Sequence, residues 1–111
     1  MDLITVFKKH IYDLFPEDAE FVSDGAQKIR IRFRIEDEQG KQRNSQAIVL
    51  IFDVGVAQAY LSAEKNSEIE ILERYKYSLR RLVVNSLVNY DPNGPYDIAY
   101  RIAIDDRALD L

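Results

Sequence analysis

Residues equipped for catalysis are few in this chain. It holds one histidine, His10, and no cysteine, and it has neither a nucleophile elbow nor a glycine-rich phosphate loop. His10 falls between Phe7 and Leu14 on an amphipathic segment, where a general base is conceivable. Without an accompanying partner motif it reads as a boundary histidine making a local hydrogen bond. Asp91-Pro92-Asn93-Gly94 followed by Asp97 starts like a calcium loop but lacks the distal bidentate Glu, and its prolines make it a helix terminator. Asp105 and Asp106 are neighbours on an expected strand, so their side chains point to opposite faces and cannot share a metal. This inventory implies no enzyme, no metal and no cofactor.

The bases are more informative. The net charge is −4, but it is sorted into blocks: residues 28–43 carry six bases and three acids, and residues 74–90 carry four bases and no acid. Lys28, Arg30, Arg32 and Arg34 alternate with Ile29, Ile31, Phe33 and Ile35, which places four cations along one strand face at intervals of roughly 6.6 Å. Such a row suits phosphates or an acidic peptide, and a solvated face is the plainer alternative. The following run, Ala47 to Phe52, is apolar on both faces, so one of its rows must stand beside the arginines. Ile48, Leu50 and Phe52, with Arg30, Arg32 and Arg34, are the expected interaction surface. It is a mixed apolar and arginine-rich face to be covered by a second subunit or a protein partner.

The second block, Arg74, Lys76, Arg80 and Arg81, follows Glu68, Glu70 and Glu73 along one expected helix. Macrodipole compensation accounts for that order, with Glu70 and Arg74 as an i,i+4 pair. Tyr75 and Tyr77 read as packing at the edge of the core. An alternative reading joins both blocks, Lys28, Arg30, Arg32, Arg34, Arg74, Arg80 and Arg81, into a nucleic-acid surface. The acidic total and the absence of RRM, KH or helix-turn-helix signatures weigh against it.

These side chains need elements to position them. Leu3, Ile4, Phe7, Ile11, Leu14 and Phe15 predict a first helix with Asp2 as cap and Pro16 as stop. Residues 16–27 have turn composition. A long antiparallel hairpin then runs from Lys28 through the turn at Asp37–Gly40 to Phe52. Residues 54–65 fit either a short helix or a strand, with alanine content and Asp53 as a cap favouring the helix. Ser67 and Glu70 have capping-box spacing, and an apolar stripe from Ile69 to Tyr90 predicts the principal helix. After the turn at residues 91–95, alternation from Tyr96 to Ile104 predicts a last strand, and residues 106–111 an acidic tail.

The class is therefore α+β, a single domain over residues 1–111 with an antiparallel or mixed sheet packed on helices. No run of about 18 apolar residues and no signal-peptide layout occurs, so a cytoplasmic protein without membrane contact is expected. The composite expectation is a small noncatalytic interaction or regulatory module, self-associating as a homodimer or meeting a protein partner.

Overall fold

In the computed structural model, which describes residues 2–111, the Asp2 carboxylate accepts the Thr5 N–H at 3.0 Å and starts helix α1, Leu3–Ile11. A 3-10 turn, Tyr12–Leu14, carries the chain to Pro16. The long hairpin forms as the period-two pattern requires, in two segments. Strand β2 (Lys28–Arg32) pairs antiparallel with β5 (Ile48–Phe52), and β3 (Arg34–Glu36) with β4 (Gln42–Asn44). Ile31 faces Ile48 and Arg34 faces Asn44, so two residues on one strand are matched by three on the other. That extra residue is a bulge. Ser45 closes it, donating its N–H to the Phe33 carbonyl and accepting the Phe33 N–H at its hydroxyl.

Before the hairpin, the stretch expected to be loop contains a further strand, β1 (Glu20–Ser23), antiparallel to β2. Phe21 is the reason: its ring packs 6.5 Å from Phe7 and 5.6 Å from Phe15, while Glu20 and Val22 point to the other side. The segment after β5 is helical, α2 (Val54–Lys65), with the Asp53 carboxylate accepting the N–H groups of Gly55 and Val56. The expected capping box at Ser67 and Glu70 is absent. Ser67 instead has φ +53° and closes the end of α2, where the Glu68 N–H reaches the Ala63 carbonyl and the Ser67 N–H that of Glu64. This is a Schellman ending with serine in the left-handed position that glycine prefers.

Helix α3 (Ile69–Ser86) continues as a 3-10 turn to Asn89. The last strand, β6, covers only Tyr100–Ile104, since residues 91–99 form a turn-rich loop. The tail contains a short helix, α4 (Asp106–Leu109), capped by Asp105 and anchored by the fully buried Leu109. The main sheet has the order β1-β2-β5-β6, and β6 runs parallel to β5 because the two helices form a crossover between them.

Helices α1, α2 and α3 cover one face of this sheet. Ile29, Ile31, Ile48, Leu50, Phe52, Ile102 and Ile104 meet Phe7, Ile11, Tyr60, Leu79 and Val83 there in one core. Each such side chain contributes about 1.5–3 kcal/mol by burial. The opposite sheet face has no helical layer.

Candidate functional site

Strand pairing decides which side chains share the open face. Glu20 lies across from Arg32, Val22 from Arg30, Arg30 from Val49 and Lys28 from Ile51. Parallel pairing then sets Val49 beside Arg101 and Ile51 beside Ala103. The row accompanying the arginines is therefore Val49 and Ile51. Ile48, Leu50 and Phe52, expected on that side, pair with the Ile31 and Ile29 side and are at most 1% exposed in the core. The physical reason for the correction is that an all-apolar strand carries no parity of its own, and the register across from β2 assigns it.

Arg30, Arg32 and Arg34 do converge. They line one groove of about 250 Å³ together with Val22, Phe33 and Asn44, and with the acids Asp18 and Glu20. Their guanidinium groups are held differently. Arg30 pairs with Asp24 at 3.1 Å. Arg32 has no carboxylate within ion-pair distance among the described residues; its guanidinium lies 4.6 Å from the Tyr96 ring centre, a cation–π contact. Arg34 reaches Asn44 Oδ1 at 3.4 Å, and its backbone N–H donates to Asp18. The Nε atoms of Arg30 and Arg32 are shut off from solvent and have no hydrogen-bond partner. A shielded, unsatisfied N–H on a cation is costly, and an incoming carboxylate or phosphate oxygen satisfies it at little further desolvation cost.

Tyr96 comes from the loop after α3, and that loop is pinned by Gln46. The Gln46 backbone N–H donates to the Pro92 carbonyl at 2.9 Å and its side-chain amide to the Ile98 carbonyl at 2.7 Å. A Cβ at Gly94 would overlap the Gln46 amide, so glycine is required for this approach. Sequence spacing gives no hint that Tyr96 serves Arg32, because sixty-four residues separate them.

No protein-family model, no curated protein and no solved structure matches the chain. The reading of its surfaces therefore rests on geometry.

The second basic block does not join the first. Arg80 grips Asp13 through two hydrogen bonds of 2.8 and 2.9 Å and also donates to the His10 carbonyl, while Arg81 donates to the Leu109 carbonyl. Both belong to the helical layer, across the sheet from Arg30 and Arg32. Arg74 is exposed on the same helix. In place of a Glu70–Arg74 pair, Glu73 meets Lys76 at 3.3 Å. Tyr75 packs on Tyr60 at the core edge, whereas Tyr77 points outward and is 67% exposed.

His10 lies in a separate cluster. Its Nδ1 is 2.6 Å from the hydroxyl of the fully buried Tyr60, and its Nε2 is 3.5 Å from Glu64, which Lys9 also holds at 2.8 Å. Burial lowers the His10 pKa, and the Glu64 charge opposes that shift only in part. Burial likewise raises the Tyr60 pKa. A neutral imidazole accepting from Tyr60 and presenting Nε2–H to Glu64 fits both neighbours. Asp91 and Asp105 act locally, accepting the N–H groups of Asn93 and Ala108. Among the described residues no helix is long and apolar enough to cross a membrane.

Proposed function

We propose that this chain is a noncatalytic protein-interaction module whose open sheet face binds an extended, carboxylate-bearing segment of a partner protein. The observation that carries this reading is the pair of shielded, unpartnered Nε–H groups on Arg30 and Arg32 in one groove. Arginine offers a planar fork matched to carboxylates, and Tyr96 holds the Arg32 fork in place before a ligand arrives. Val22, 52% exposed, and the half-buried Phe33 supply apolar contact in the same groove. Side chains on one side of an extended peptide recur at about the spacing of the three arginines, so alternating acids meet them in register.

Amide chemical-shift mapping tests the site. An octapeptide of alternating glutamate and valine is expected to shift Val22, Arg30, Arg32 and Arg34 resonances and leave α2 unmoved. Shifts confined to the His10 cluster, or none at saturating peptide, would remove the groove from consideration.

A further inference from the structure

The outer side of α3 presents another surface, across the molecule from the arginine groove. Glu70, Arg74, Tyr77, Arg81, Val84 and Val88 follow spacings of four and three along the helix and its 3-10 extension, and all six are exposed. At near 100° per residue these positions form one narrow stripe. Its apolar members stand far out: Tyr77 is 67% exposed, Val84 50% and Val88 77%. The inward side is formed by Leu72, Leu79 and Val83, which the core already covers. Leu111, 51% exposed, lies beside the stripe in a shallow depression shared with Arg74, Tyr77 and Arg81.

We propose that this stripe joins two copies of the chain as an antiparallel pair of α3 helices. Charge selects the occupant and its direction. The stripe begins with Glu70, flanked by Glu68 and Glu73, and continues through Arg74 and Arg81. Antiparallel apposition sets each copy's acidic end toward the other's basic half and opposes the helix dipoles, whereas parallel apposition stacks like on like. Lys76 and Arg80 do not compete for the seam, because Glu73 and Asp13 hold them. At its centre the Arg81 guanidinium already lies 5.8 Å from the Tyr77 ring centre within one chain. With the twofold axis between these residues, the second copy's Arg81 reaches the Tyr77 ring, and its Val84 meets the aliphatic stem of Arg74. The 18 residues of α3 give a seam about 27 Å long.

Sedimentation equilibrium of the intact chain from micromolar to millimolar concentration tests this. The expected result is a dimer whose dissociation constant rises on the order of tenfold or more in Val84→Lys/Val88→Lys, with unchanged circular dichroism since both sites are exposed. Arg32→Ala is expected to leave the dimer intact, which separates this seam from the groove. Because the chain has no native cysteine, direction can be read by mixing two single variants, Arg74→Cys and Val84→Cys. Disulfide formation between unlike chains supports the antiparallel seam. A wild type that stays monomeric, a dimer undiminished in the double lysine variant, or crosslinking only between like chains would overturn it.

Discussion

Arg30 stands directly across the β2–β5 ladder from Val49, and its neighbour Ile29 from Leu50. That one-residue parity divides an apolar strand into a core row and an open-face row. Leu50→Ala is expected to lower unfolding free energy by about 2–5 kcal/mol, the usual cost of a large truncation in a packed core. Ile51→Ala, on the half-buried open row, should lose clearly less. Urea denaturation of both variants decides the matter, and equal losses would argue against the register.

The contact between His10 and Tyr60 makes stability depend on pH. Burial depresses the His10 pKa in the folded state, whereas the unfolded chain titrates near the ordinary value of about 6.5. The unfolded state therefore binds more protons in that window, so stability is full above it and declines as pH falls through it. Glu64 is also depressed, first by the hydrogen bond from Lys9, and its contribution is lost only at lower, carboxylate pH. Denaturation midpoints are expected to fall between neutral pH and pH about 5, and His10→Phe should flatten that interval. A wild-type midpoint constant across it would contradict the neutral-histidine assignment.

Ser67 offers a stabilising substitution. A residue with a Cβ in the left-handed region costs on the order of 1 kcal/mol, and Ser67 sits there at φ +53°. Ser67→Gly should raise the thermal midpoint by relieving the turn between α2 and α3, less the extra backbone entropy glycine loses on folding. An unchanged or lowered midpoint would show that the serine side chain stabilises the turn.

Gly94 and Tyr96 connect the loop to the groove. Gly94→Ala forces the Gln46 amide aside and should move Tyr96 off Arg32. Tyr96→Ala removes a cation–π contact worth about 0.5–1 kcal/mol at an exposed site. Acidic-peptide affinity should fall roughly two- to five-fold in both variants by that energy. An effect of Tyr96→Ala without one of Gly94→Ala would mean that the loop tolerates the alanine.

Much of this fold was legible in the sequence, and the losses have identifiable causes. Period-two alternation from Lys28 announced β2 because one of its faces is core and the other open. Asp2 and Asp53 cap the helices their positions suggested. Strand β1 escaped notice because Phe21 alone among its four residues reaches inward, leaving too short a period to register. The parity of β5 was illegible since both of its faces are apolar. The arginines of the site could be read from their spacing, whereas Val22, Phe33 and Tyr96 arrive through strand pairing and a distant loop, which no local pattern encodes. Tyr77 looked like core edge because helical spacing alone does not reveal which stripe of α3 meets the sheet.

Fluorescence anisotropy with a labelled peptide of alternating glutamate and valine, titrated with wild type and with Arg30→Ala/Arg32→Ala, tests the central claim most directly. The account predicts saturable wild-type binding that weakens with salt and falls on the order of tenfold or more in the double variant, with the fold intact by circular dichroism. Equal binding by both proteins, or no peptide binding beside tight, steeply salt-dependent binding of an oligonucleotide, would contradict it.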